Sequence, residues 1–207
     1  MAENLHEVVG CFMKAIICKE PNKVTVEEVA DPKIEHPGDA IIRLTSSGIC
    51  ESDIHMYQGR TVAKPGKVLG HEPVGVIEEV GSAVTSFKKE DRVVVTFNVA
   101  CGHCMNCVRG FTSACLTVNP EIVGGAFGYA KWEYILPLGQ LWEKGLTIGT
   151  GQTPVKKTIL MLRDMIIAGI ARPSFIVSHR ISIEDAPAAY REFSQRADGY
   201  TKVVIKF

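Results

Sequence analysis

Four cysteines fall within CGHCMNCVRGFTSAC, residues 101–115. Their spacing, Cys101-x2-Cys104-x2-Cys107-x7-Cys115, lets four thiolates wrap one tetrahedral Zn2+. Four sulfurs saturate that ion, so such a site is structural and leaves no position for substrate. Gly102 and Gly110 give the loop freedom to turn, and His103 reads as a solvent-facing bystander. The same run admits an iron–sulfur cluster, or unligated cysteines in a loop. Any chemistry must then lie elsewhere, and two other stretches offer it. GICESDIH (48–55) presents Cys50, Glu51, Ser52, Asp53 and His55, and GHEPVGVIEEVGSAV (70–84) presents His71 and Glu72. A catalytic zinc takes three protein ligands of mixed type and keeps one position open. Cys50 and His71 could be two of them, with Asp53 orienting the imidazole from behind. Ser52 and His55 could carry a proton away from a reacting oxygen. Taken singly, a cysteine after a strand is usually core and a His-Glu pair is usually surface, so spacing alone leaves this second site open.

The elements that must position these residues read as short strands. MKAIIC (13–18), VTVEEV (24–29), AIIRLTSSG (40–48), GVIEEVG (75–81) and RVVVTF (92–97) are strand-sized runs broken by Gly, Pro, Asn and Asp. That pattern predicts a compact antiparallel barrel or sandwich. The last third changes character. VKKTILMLRDMIIAG (155–169) carries Val155, Ile159, Leu162 and Ile166 at helical spacing, with Gly169 as the stop. SIEDAPAAYREF (182–193) predicts a helix opening at Ser182 with Asp185 in a capping box. TKVVIKF (201–207) predicts a final strand, and the end of the chain is expected to pack back on the barrel.

The totals exclude several classes. The chain has 207 residues, 46% of them apolar, with 23 basic and 23 acidic side chains. A zero net charge gives no footprint for nucleic acid or an acidic membrane surface. No apolar run approaches the ~20 residues of a membrane span. The N-terminus lacks the basic start and cleavage site of a signal peptide, so a cytoplasmic location is expected. There, closely spaced cysteines mean metal more often than disulfide, and seven do not pair evenly. Cys11 and Cys18 read as buried core.

The motifs together resemble one family. GHEPVGVIEEVGSAV fits the zinc-containing alcohol dehydrogenase pattern GHE-x2-G-x5-G-x2-V at every specified position. GICESD resembles that family's G-x-C-x-S-D segment, and CGHCMNCVRGFTSAC its structural-zinc lobe. HMYQGRT, TFNVACGHC and CLTVNP resemble the subgroup of glutathione-independent formaldehyde dehydrogenases. The resemblance covers about residues 13–134 and 138–207. It implies an α+β, mainly β chain: a GroES-like barrel with C-terminal helices and a strand packed on it. It implies that Cys50 and His71 are catalytic-zinc ligands and that Glu72 is an acid able to approach the metal. Ser52 and His55 match proton-relay positions, and Cys101, Cys104, Cys107 and Cys115 match the structural zinc. A small alcohol or carbonyl compound is the implied substrate.

The family's Rossmann domain has no counterpart here. A nucleotide-binding domain needs on the order of 100–150 residues, whereas GGAFGYAKWEYILPLGQLWEKGLTIGTGQTPV (124–155) joins the two parts directly. The expected organisation is an extension (1–12), a zinc-binding catalytic part (13–134), a junction (135–154) and the C-terminal remainder of the catalytic part (155–207). The junction carries GTGQTP (149–154), which begins like G-x-G-x-x-G but places Pro154 at the third glycine, and reads as a turn before the helix. NAD is therefore not expected to bind on its own. The third catalytic-zinc ligand of the family lies in the missing part, leaving Glu72, or the spare carboxylates Glu51 and Glu133, to serve. Glu51 stands where the subgroup has a small residue, and could be a ligand, a base or simply solvent-facing. Glu90 stands where glycine is usual, so strain is expected there. Three functions remain: a zinc enzyme without redox chemistry, an internally deleted dehydrogenase, or an interaction module that forms homo-oligomers through uncovered surface.

Overall fold

The computed structural model describes residues 12–61, 63–118, 138–147 and 151–207. Residues 1–11 of the expected extension, Cys11 among them, lie outside the described residues, as do GGAFGYA, Glu133 and the start of GTGQTP, whereas Phe12 already belongs to the first strand. Eight strands are described: β1 (Phe12–Glu20), β2 (Lys23–Ala30), β3 (Ala40–Ile49), β4 (Lys67–Val68), β5 (Pro73–Val80), β6 (Arg92–Val94), β7 (His179–Ile181) and β8 (Val203–Lys206). The helices are α1 (Glu51–Tyr57), α2 (Met105–Val108), α3 (Leu138–Glu143), α4 (Val155–Ile167) and α5 (Ala186–Ser194).

The chain divides into two compact units, one holding the residues up to Val95 with Ser174–Phe207, the other Thr96–Pro173. In the first unit the strands form two sheets, ordered β2-β1-β4 and β6-β5-β3-β8-β7, rather than one closed barrel. β1 and β2 form a hairpin in which Ile16 faces Val26 across the ladder. β3 is central in the larger sheet because both β5 and β8 pair with it antiparallel. The parallel pair among the described strands is β7–β8. Ile49, Ile54, Ile77, Val203 and Ile205 are buried, and so are Ala186, Ala189 and Tyr190 of α5. Tyr190 meets Tyr57 of α1 with ring centroids 5.8 Å apart. The mainly β, GroES-like reading therefore holds.

The structure adjusts two expected elements. α5 begins at Ala186, not near Ser182, with Asp185 as its N-cap and a proline in its first turn. A helix opening at Ser182 would hold Pro187 in its interior, where the ring clashes with the preceding turn and a hydrogen bond is lost. Ser182 Oγ instead donates to Asp185 Oδ2 over 2.8 Å. α4 does end at Gly169, whose φ is +72°, but Leu162 and Ile166 of its expected inner face are exposed.

Glu90 does adopt the left-handed region, with φ of 72°. It sits in a turn closed by Asp91 N–H donating to Lys88 O over 3.1 Å, and its own N–H donates to Ile77 O over 2.9 Å. The backbone is thus fixed by bonds on both sides, and the side chain bears the steric cost. Glu90→Gly is expected to stabilise the protein by on the order of 1 kcal/mol, read as a higher midpoint in urea with an unchanged slope.

Candidate functional site

Three neighbouring strands bring the second set of residues together. Ile49, the last residue of β3, pairs with Val203 at the start of β8. Ser47 of β3 pairs with Pro73 at the start of β5. Cys50 therefore leaves β3 at the same sheet edge where His71 and Glu72 enter β5 and Lys202 enters β8. Proline can open β5 because the first residue of a strand need not donate to the ladder.

Cys50 also starts α1. Its backbone N–H donates to Asp53 Oδ2 over 3.0 Å. The other oxygen of the same carboxylate, Oδ1, lies 3.1 Å from His71 Nδ1. One fully buried acid thus fixes the N-cap cysteine and the imidazole at once. With Nδ1 turned to Asp53, Nε2 faces inward, 3.1 Å from Ser52 Oγ. Ser52 Oγ also donates to Cys50 Sγ over 3.3 Å. Donor atoms of Cys50, His71 and Glu72 all lie within 4.8 Å of one another. A thiolate, an imidazole and a carboxylate at that separation fit zinc, which accepts S, N and O ligands, and three of them leave a position open.

The electrostatics favour a cation at this point. The His71 pKa is raised to about 10, first by the hydrogen bond to Asp53 and then by that to Cys50. The Cys50 thiol is pulled down, chiefly by His71, against the opposing effect of burial. A folded pKa above the ordinary 6.5 means that this pairing stabilises the fold fully below about pH 6.5 and is lost as pH rises through about 10. The metal-free protein is expected to lose thermal stability across that window more steeply than its His71→Asn variant, by differential scanning calorimetry.

Lys202 is a functional candidate that the sequence did not disclose. Its Nζ lies 2.5 Å from Glu72 Oε2 and 3.2 Å from the carbonyl of Ile49. Glu72 is thus shared between the metal position and an internal ammonium group. Gly48 makes room for the pair, since a Cβ there would meet Glu72 Oε2 at 2.0 Å. No pattern in TKVVIKF sets Lys202 apart from other lysines; only the β3–β8 register does.

The other expected residues fall away from this cluster. Glu51 points to Arg60 Nη2 and Arg196 Nη2, each 3.8 Å from its carboxylate, so it is engaged at the surface. His55 lies on α1, where burial and the nearby Arg60 lower its pKa, and it is not among the convergent donor atoms.

In the second unit, the four cysteine sulfurs also lie within 4.8 Å of one another. α2 places two of them, with Cys104 as its N-cap and Cys107 on its buried side. Gly102 and Gly110 take positive φ, 83° and 86°. Backbone N–H groups point at sulfur, from Cys101 to Cys115 Sγ and from Cys104 to Cys101 Sγ, both at 3.3 Å, as suits thiolates. The side chain of Thr117 is the first cause of the low Cys101 pKa, about 5, whereas burial pushes Cys107 up to about 12. Asn106 Nδ2 clamps the loop by donating to Ala114 O over 2.8 Å. His103 is exposed, its ring bonded to Cys101 O. The donor set fits one zinc with no position left open.

Comparison with known proteins agrees with this fold. Residues 36–143 match the alcohol dehydrogenase GroES-like domain. The glutathione-independent formaldehyde dehydrogenase of Pseudomonas aeruginosa is 45% identical over 122 residues, which cover 56% of this chain and 31% of that protein. The formaldehyde dismutase of Pseudomonas putida is 40% identical over 123 residues, 56% of this chain and 31% of that one. The chain thus spans about a third of the length of these curated relatives. Among solved structures, alcohol dehydrogenase TADH from Thermus sp. ATN1 shares the fold with a TM-score of 0.77 at 20% identity, covering 94% of this chain and 99% of that one. Among the described residues, no helix is long and apolar enough to cross a membrane.

Proposed function

Because the chain belongs to the zinc-containing alcohol dehydrogenase family, we propose that it binds zinc at both clusters and uses the Cys50 centre on a small alcohol or carbonyl compound. Short aldehydes are the substrate class, by analogy with the relatives named above. The observation that carries this reading is the convergence of Cys50, His71 and Glu72, with Asp53 buried behind the imidazole. Zinc held there would act as a Lewis acid on the substrate oxygen. Ser52, in contact with both Cys50 and His71, holds a proton at Oγ where it can be exchanged with the substrate, and His55, about one turn further along α1, keeps the relay role that the family resemblance implies without touching the cluster. Lys202 balances the charge of Glu72 when that acid is not a ligand.

In this reading residues 13–134 are the zinc-binding catalytic part, 135–154 the junction and 155–207 the remainder. The protein works in the cytoplasm without nucleic-acid or membrane partners, and does not transfer hydride to NAD by itself. The short junction favours a second reading, a deleted dehydrogenase kept as a remnant or an interaction module.

Zinc counting separates the two. The purified chain is expected to hold two zinc ions, falling to one in Cys50→Ser, and to speed the reversible hydration of short aldehydes by water, without nicotinamide. That turnover should be abolished by Cys50→Ser and reduced by Glu72→Gln. One zinc per chain, unchanged by Cys50→Ser, would leave only the cage and favour the remnant. NAD-dependent alcohol oxidation by the chain alone would overturn both readings.

A further inference from the structure

The first turn of α4 carries the wrong charge for its position. Lys156 and Lys157 follow Val155 at its start, and no acid stands in that turn. Cations are disfavoured at the positive end of a helix. The cage loop, residues 96–118, contains no Asp or Glu to offset them, and Arg109 is its one Lys or Arg. The anions that this loop can offer are its cysteine thiolates. One zinc ion with four thiolates carries a net double negative charge, which suits a pair of lysines.

Three contacts tie the start of α4 to the loop. Ser113 Oγ donates to Gln152 O over 2.9 Å. The Lys157 side chain lies along the Gly110 turn, where an added Cβ would meet its Cδ, Cε and Nζ, each at 2.9 Å. Lys156 Nζ donates to Ala100 O over 2.8 Å. This last contact leads to a sulfur. Ala100 O and the Cys101 N–H are the two ends of one planar peptide group, and that N–H donates to Cys115 Sγ over 3.3 Å. An ammonium on the carbonyl draws electron density through the amide and makes its N–H a better donor, so the bonds of such a chain strengthen one another. Ala100 and Cys115 are both buried, which keeps competing water from the sulfur end.

We propose that Lys156 is a positioning residue for the metal cage: through the Ala100–Cys101 peptide it steadies the Cys115 sulfur as a ligand, and a loaded cage in turn holds the start of α4. The coupling is reciprocal, because a contact that tightens metal binding is itself tightened by the metal to the same degree. This inference rests on the reading that the cage takes a metal ion, and it adds a support for that ion from outside the loop.

Cobalt(II) tests it in the full chain carrying Cys50→Ser, where the cage alone is expected to load. Affinity is read by competition with a chelating dye, the sulfur-to-cobalt absorption band by spectroscopy, and the order of residues 155–167 by hydrogen–deuterium exchange. Lys156→Met should weaken cobalt binding about tenfold. The absorption band should move to longer wavelength, since a thiolate with a weaker hydrogen bond gives up its electron more easily. Removing cobalt should raise exchange in α4 about tenfold with Lys156 in place, and far less in Lys156→Met. Lys156→Arg keeps a charged donor and should restore all three readings. Arg163→Gln removes a cation further along α4 and should alter none of them. Lys156 is exposed, so its variants should fold as the parent protein does. An unchanged affinity or band in Lys156→Met overturns the proposal, as does a failed rescue by Lys156→Arg. An equal loss in Arg163→Gln also overturns it, since any cation would then serve. A chain that takes up no cobalt overturns both the proposal and the reading beneath it.

Discussion

Asp53→Asn will empty the Cys50 centre of metal while leaving the cysteine cage loaded. Asp53 uses both carboxylate oxygens, Oδ2 for the Cys50 N–H and Oδ1 for His71 Nδ1. An asparagine keeps one acceptor and puts an NH2 group where the other was. Whichever way the amide turns, one donor meets a donor at a fully buried position. If the amide oxygen serves His71, the turn that begins α1 loosens and Cys50 moves. If it serves Cys50, the imidazole loses its tautomer and its aim. The loss of the negative charge also removes the largest cause of the raised His71 pKa. Partners behind a metal ligand typically account for 10–100-fold in affinity, and here one residue stands behind two ligands. A fall of about 100-fold is expected, measured by competition with a chelating dye. A fall below about threefold would show that Asp53 only packs. Stability should drop too, by about 1–3 kcal/mol for the unsatisfied group.

The second large effect belongs to the cage. The buried cluster around it consists of Ala100, Cys107 and Cys115, with Cys101 and Cys104 against it. So small an apolar core cannot offset the ordering of a long loop. A zinc ion held by the thiolates would offset it, since a structural zinc contributes about 10–16 kcal/mol in small zinc domains. Cys115→Ser removes the one sulfur that is fully buried and that accepts the N–H groups of both Cys101 and Val118. In that variant, or after chelation, amide exchange across 96–118 is expected to rise by more than about 1000-fold, the protection otherwise reported by hydrogen–deuterium exchange. Exchange in β1–β3 should change far less. Unaltered protection of the loop would mean that packing holds the lobe without metal.

Much of this was legible in the residues. The strand-sized runs MKAIIC and VTVEEV, split by a Pro-Asn turn, form a true hairpin, and AIIRLTSSG is the central strand. The cage was legible because all its ligands lie within a short run. The Cys50 centre needed the family pattern, since its residues are about twenty apart and only strand register brings them together. Two features stayed hidden. No helix was expected over GICESD, yet Glu51, Ser52 and Asp53 form the first turn of α1, because the cap depends on Asp53 reaching back to Cys50. Lys202 stayed hidden because its importance comes from pairing between β3 and β8, which no local pattern encodes. Glu51 misled for the opposite reason: its place beside Cys50 suggested chemistry, but its side chain turns to Arg60 and Arg196.

The position of Lys202 sets an order of events during synthesis. The cage is closed by residues no more than fourteen apart, from Cys101 to Cys115, and can take its metal as soon as that stretch has left the ribosome. The Cys50 centre has its candidate ligands by residue 72, but the ammonium group that balances Glu72 comes 130 residues later, at Lys202. Until then Glu72 lacks the ammonium partner that it has in the folded chain. β8 is thus the last of the three neighbouring strands to be made, and its pairing with β3 brings Lys202 to Glu72.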